Sequence, residues 1–304
     1  MSPGDVPRPD GRKAASSACR ICESDTESVG AVFGRYSNRD YHLRRCPNCH
    51  FAFIDDPWLE FDRIYNDQYY EGRGADHLVD YRFELDRPDR TIRGYEWAGI
   101  SRLVRGLLGR SDGVRWLDFG CGSGGLVRYL NSNTGFQACG FDEGAIVDAA
   151  RRKGIPILTE EQLSEQEGTF DVVTAVEVIE HTLEPLATLR QIRRMLRPGG
   201  LFFLTTGNSQ PFVDDLTHWS YVIPELHISY FEPRTLETAM RSTGFRPERK
   251  PRGPAFDQIL KFKVLKNLRL RKRNFLTDAL PAGLIGPVAE RMRHLGEQPV
   301  GWAE

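Results

Sequence analysis

Neither sign of charge predominates in this 304-residue chain: 41 Lys and Arg stand against 42 Asp and Glu, a formal net charge of −1. No global field therefore gathers a polyanion, and nucleic acid is not an expected partner. Long apolar runs are lacking too, with no window of about 20 residues suited to crossing a bilayer. Residues 1–17 hold Pro, Gly, Ser, Arg and Asp without an apolar core, so they read as a disordered tail and not as a secretory leader. There is no internal repeat. What remains is the composition of a globular chain, long enough for one large α/β domain and a small module.

Glycine is concentrated at one place. An apolar run over 114–117 leads into Asp118-Phe119-Gly120-Cys121-Gly122-Ser123-Gly124-Gly125, and 126–130 then takes helical spacing. A strand, a glycine-rich turn and a helix start let backbone N–H groups approach a nucleotide-like ligand. Gly120, Gly122 and Gly125 also satisfy the dinucleotide spacing G-x-G-x-x-G. Asp118 separates the two readings. A carboxylate so close to the turn repels a pyrophosphate but attracts the cationic amino-acid end of S-adenosylmethionine (SAM). Asp142 follows a second buried strand over 136–141. An acid about 20 residues beyond the turn accepts hydrogen bonds from ribose hydroxyls, in SAM or in NAD. Its plainer alternative is the N-cap of a helix over 145–153. The candidate cofactor contacts here are Asp118, Gly120, Cys121, Gly122, Gly124 and Asp142.

A third buried strand, 170–176, runs into Glu177-Val178-Ile179-Glu180-His181. A helix over 185–196, the turn Arg197-Pro198-Gly199-Gly200 and an apolar strand over 201–205 come next. As a set, these pieces resemble the class I SAM-dependent methyltransferases across 113–250. The resemblance implies a Rossmann-like, doubly wound α/β fold whose seven-stranded sheet is mostly parallel. SAM then lies across the carboxyl ends of the strands, with Glu177 among its contacts.

The six cysteines divide. Cys121 and Cys139 stand singly, whereas Cys19-x-x-Cys22 and Cys46-x-x-Cys49 form two knuckles with 23 residues between them. Four thiolates so arranged present a tetrahedral site to structural zinc, and a β-hairpin built from 29–36 and 40–45 fills the gap. Two disulfides are the alternative, but they need an oxidising compartment. The expectation is a small zinc-ribbon module over 18–55 and a cytoplasmic protein. A helical linker over 56–112 carries Tyr69 and Tyr70, and 81–108 reads as largely helical. In the resembling family a segment in this place covers the cofactor, so Tyr70 or Tyr69 lids the sulfonium. The other reading packs these tyrosines between module and domain.

Methyl transfer to a hydroxyl needs alignment and a base. Glu177, Glu180 and His181 surround the end of the 170–176 strand. Tyr221, Glu225, His227 and Ser229-Tyr230-Phe231 follow the next one. The Glu177/Glu180/His181 triplet resembles the divalent-metal motif of quinone-biosynthesis O-methyltransferases. With His227 added it also resembles the RNA 2′-O-methyltransferases, which implies Mg²⁺ at the four residues. The second cluster resembles sugar methyltransferases that begin with a cysteine-knuckle module. Here Leu226 separates Glu225 from His227, and the chain has no large domain after 250. O-methylation of a sugar or small-molecule hydroxyl in glycan, nucleotide-sugar or natural-product biosynthesis is therefore expected, with sugar C-methylation or RNA 2′-O-methylation as alternatives. His227 is the expected base, His181 the second candidate, and Glu225 and Tyr221 complete the catalytic set. The extension over 251–304 holds seven bases and no acid between 261 and 273. With Phe262, Leu265 and Leu268 on one side, it either packs on the body or lies on an anionic membrane surface.

Overall fold

The computed structural model describes residues 18–249, 253–285 and 299–303. The expected tail over 1–17 lies outside them, as do parts of the extension over 251–304. Three strands come first: β1 (Glu27–Gly34), β2 (Arg39–Arg45) and β3 (Ala52–Ile54). Helices α1 (Phe61–Ile64), α2 (Asp67–Tyr70), α3 (Tyr81–Asp86) and α4 (Arg93–Leu108) follow. The alternating section is β4 (Arg115–Phe119), α5 (Gly125–Asn133), β5 (Gln137–Phe141), α6 (Ile146–Arg152), β6 (Ile157–Leu158), α7 (Glu160–Ser164), β7 (Phe170–Val176), α8 (Pro185–Met195) and β8 (Leu196–Thr205). Last are β9 (Ser229–Tyr230), α9 (Pro233–Ser242), β10 (Phe245–Arg249), α10 (Pro254–Asn267), α11 (Phe275–Ala279) and β11 (Pro299–Ala303).

Seven strands form the central sheet in the order β10-β11-β8-β7-β4-β5-β6. The five strands from β8 to β6 pair in parallel, and β11 runs antiparallel between β8 and β10. This is the Rossmann-like methyltransferase architecture expected from the sequence. In β7 every residue from Phe170 to Ala175 is buried, as a strand covered by helices on both faces requires.

Three local expectations shift. The helix expected over 81–108 breaks into α3 and α4, because Pro88 removes a donor and clashes with the preceding turn. The helix after β5 has Ala145 at its N-cap, so Asp142 does not cap it. Strand β8 begins at Leu196 and absorbs Arg197-Pro198-Gly199-Gly200. Its ladder with β7 skips from Phe170↔Leu196 to Val172↔Leu201, which takes up the extra residues as a bulge.

A second sheet, β1-β2-β3-β9, carries the cysteine knuckles. Strands β1 and β2 pair as a hairpin with Glu27 opposite Arg45. All six cysteines are free thiols, so the disulfide alternative is absent. Sγ–Sγ distances are 3.4 Å for Cys19–Cys49 and 3.5 Å for Cys22–Cys46. Those spacings approach the ~3.8 Å edge of a tetrahedron with Zn–S bonds of about 2.3 Å. The donor set therefore fits a tetrahedral metal.

The hairpin sheet is not a separate bead. Its edge strand β9 comes from the far end of the chain, with Ala52 opposite Tyr230 and Phe53 opposite Ser229. Glu232, nearly fully buried, binds Arg45 (2.6 Å) and His50 (3.0 Å), and Thr235 Oγ1 donates to the Cys49 carbonyl (2.7 Å).

Candidate active site

At the carboxyl ends of β4, β5 and β7 the structure opens a cavity of about 890 Å³. Its floor is the glycine turn. Gly120 and Gly122 have φ of +76° and +53°, which side chains disfavour. A Cβ on Gly120 would meet Val178 at 2.4 Å, and one on Gly122 would meet Tyr81 at 3.1 Å. Asp142 closes the turn, accepting from Gly122 N–H (2.8 Å) and Gly144 N–H (2.7 Å). Each carboxylate oxygen keeps a lone pair for a ligand hydroxyl. Asp118 is buried beneath, accepting from Thr174 Oγ1 (2.8 Å), which itself accepts from Trp116 Nε1 (3.0 Å). Burial pushes its carboxyl up to about 7, a cost that an adjacent cation removes.

Of the expected cofactor contacts, Asp118, Gly120, Cys121, Gly122, Asp142, Glu177 and Tyr70 all line this cavity. Gly124 does not. It is the left-handed N-cap of α5 (φ +72°), where a Cβ would strike Ile155 at 2.7 Å, so it serves packing behind the turn. Tyr65, Tyr69, Tyr70 and Tyr81 form one wall, with neighbouring rings 4.9–6.1 Å apart. The four rings pack on one another and face the cavity.

The adjoining wall is the Glu177–His181 turn and the segment before β9, with the Tyr65 hydroxyl 3.2 Å from His181 Nδ1. His181 Nδ1 lies 2.9 Å from the Leu226 carbonyl, and His227 Nδ1 lies 2.6 Å from the Tyr221 carbonyl. A carbonyl only accepts, so each Nδ1 carries the proton and each Nε2 keeps its lone pair. Burial lowers both imidazoles, His227 to about 3, so both are neutral at physiological pH. The two rings stand 4.9 Å apart. Tyr221 stacks on His227 at 4.1 Å and donates its hydroxyl to Glu180 Oε1 (2.5 Å). Thr206 donates to the other Glu180 oxygen (2.8 Å), while burial and then Glu177 push that carboxyl up to about 7.

Glu225 departs from expectation. Its buried carboxylate accepts from Tyr36 N–H (3.0 Å), Ser37 N–H (3.1 Å) and Ser37 Oγ (3.0 Å), and it does not reach the cavity. It satisfies the orphan amides of the β1–β2 turn, a docking role that charge-assisted hydrogen bonds strengthen. The four-residue metal set also dissolves. The ligand atoms of Glu180, His181 and His227 lie within 4.8 Å of one another, but Glu177 is not in that group. Lys263 Nζ bonds it at 2.6 Å and Thr205 Oγ1 donates at 2.9 Å. Although burial works against it, Lys263 holds the Glu177 carboxyl far below its ordinary range.

Sequence reasoning missed four cavity residues: Asp76, Arg93, Lys263 and Lys266. Lys263 and Lys266 lie on α10, within the basic stretch, and reach inward because α10 packs along α4 with Phe262 and Leu265 buried. Leu268, grouped with them by spacing, is exposed instead. Arg93, at the start of α4, sits 3.2 Å from Glu96 and 4.0 Å from Glu84. The residues fit SAM: a glycine cradle with no room for side chains, a ribose-ready carboxylate and acids suited to a cationic ligand.

The methyltransferase-domain family profile matches residues 84–250. Ubiquinone biosynthesis O-methyltransferase of Bordetella pertussis is 31% identical over 162 residues, 47% of this chain and 67% of that protein. The enzyme of the same name from Xanthomonas oryzae pv. oryzae is 38% identical over 109 residues, 33% of this chain and 45% of its own length. The chain thus spans from less than half to about two thirds of these relatives. A Haloferax volcanii methyltransferase, solved with the Trm112 activator, aligns with TM-score 0.48 and 19% identity, covering 73% of this chain and 94% of that one. With the profile covering more than half of its length and the glycine turn, Asp142 and β7 all in place, the chain belongs to the methyltransferase-domain family, as a SAM-dependent methyltransferase of the class I fold.

Proposed function

We propose that the protein methylates a hydroxyl oxygen of a small molecule, a sugar or sugar-like hydroxyl, with His227 as the base. The supporting observation is the pair of neutral imidazoles, each anchored through Nδ1–H to a carbonyl beside the cavity. SAM, when bound, supplies an electrophilic methyl group on a sulfonium. Asp142 and the glycine turn hold its nucleoside end, and Asp118, Arg93 and Glu177 surround its amino-acid end. The tyrosine wall excludes water and presents aromatic faces to positive charge. His227 Nε2 then takes the proton of the acceptor hydroxyl, and His181 stands beside it as the alternative base. The Cys19, Cys22, Cys46 and Cys49 set holds a structural zinc.

Labelled-methyl transfer to a panel of nucleotide sugars and phenols, with the product identified by mass and NMR, tests this reading. Methyl on a sugar oxygen supports it. Methyl on carbon, or on phenols alone, overturns it. The clustering of Glu180, His181 and His227 favours a second reading in which a divalent cation orients the acceptor. Activity that survives a chelator sparing the cysteine-bound zinc removes that version.

A further inference from the structure

Two elements that are distant in sequence meet on the wall of the cavity, within reach of the imidazole pair's charge. The segment between α2 and α3 brings Asp76, and the last turn of α10 brings Lys266 and Asn267. Asp76 Oδ1 accepts from Leu78 N–H at 2.9 Å, an interaction that fixes the carboxyl plane. Its other oxygen lies 3.9 Å from Lys266 Nζ, beyond hydrogen-bond reach. The two side chains are only 19% and 16% exposed, so they feel each other's charge without saturating each other. Burial opposes ionisation of Asp76, but Lys266 holds its pKa down, and the carboxylate stays an acceptor.

This geometry is pinned from outside. Arg271 donates to the carbonyls of Gly72 and His77, at either end of the segment that carries Asp76. Thr91 bridges Lys272, and Arg273 N–H donates to the Arg90 carbonyl (2.7 Å). The basic stretch therefore acts as a clasp on the cavity wall.

Resting on the O-methylation reading above, we infer that Asp76 and Lys266 form the acceptor-recognition subsite, taking a hydroxyl group neighbouring the one that is methylated. Asp76 accepts that hydroxyl's proton in a hydrogen bond, and Lys266 donates to its oxygen. A charged acceptor and a charged donor a few ångströms apart, both short of partners, suit a polyhydroxylated ring and not an apolar one.

The test uses full-length protein with UDP-glucose, GDP-mannose and dTDP-rhamnose, each beside its deoxy counterpart lacking the hydroxyl next to the methylated position. Asp76→Asn keeps the oxygen that binds Leu78 N–H, and Lys266→Met keeps the stem. Each raises the acceptor KM about tenfold or more, with kcat within about twofold and SAM affinity unchanged. Wild type shows the same loss with the deoxy sugar, and the variants lose nothing further with it. Unchanged KM in both variants, with the sugars still methylated, overturns the subsite alone. No label on any of the sugars while SAM binds overturns the sugar reading and the subsite with it.

Discussion

Single residues carry the chemistry, and their legibility depended on how local their partners are. Asp118, Gly120, Gly122 and Asp142 were readable because a strand, a turn and a strand end place them together within a short stretch of chain. Glu225 was misread because its partners, Tyr36 and Ser37, lie almost 190 residues away. Lys263 was invisible for the same reason, its partner Glu177 lying 86 residues away. Asp142→Ala removes the carboxylate that fixes Gly122 and Gly144 and, on the proposed reading, binds the ribose, so SAM affinity should fall at least tenfold by titration calorimetry. Unchanged affinity contradicts the assignment of the cavity. Lys263→Met leaves the partly buried Glu177 without its cation. The variant should lose about 2 kcal/mol or more of stability in denaturant unfolding, a loss that Glu177→Gln in the same chain should partly restore.

Among elements, the cysteine hairpin and the segment bearing His227 are one mechanical unit. The sequence displayed the knuckles plainly, since spacing alone defines them, but β9 is two residues long and carries no pattern of its own. Only the paired structure shows that Ser229 and Tyr230, just after His227, complete the hairpin sheet. Ile54 N–H also donates to the Ile228 carbonyl at 3.0 Å. The consequence is a link from metal to catalysis. Cys46→Ser should release zinc and loosen the hairpin, and with it the position of His227. Turnover should drop by at least tenfold while SAM affinity, set by the glycine turn and Asp142, changes little. Metal analysis with calorimetry on the same preparation checks both halves. An ordered, fully active hairpin without metal contradicts the link.

At the scale of the whole molecule, the fold concentrates buried acids around one cavity. Burial pushes Asp118, Glu84 and Glu180 each up to about 7. A carboxyl whose folded pKa is raised stabilises the protein fully below its unfolded value and loses that contribution as pH rises through about 7. The ligand-free protein should therefore melt a few degrees higher at pH 6.5 than at pH 8, a difference of about 2 kcal/mol. Below pH 6.5 His181 and His227, partly buried with lowered pKa values, oppose the trend, because they stay unprotonated while the unfolded chain takes up protons. Asp118→Asn should flatten part of the slope, and a melting temperature independent of pH across this window contradicts the electrostatic picture. The parallel core of the sheet was foreseeable from the apolar strands and the helix between them, whereas its seven strands were expected only from the family resemblance. The clasp of α10 over the cavity was not, because nothing in a run of bases says which of them turn inward. The central claim is that His227 removes the acceptor's proton inside this cavity, and His227→Ala tests it most directly. SAM affinity should stay within about twofold of wild type while methyl transfer falls at least a hundredfold. Full turnover in that variant, or loss confined to His181→Ala, would contradict the account.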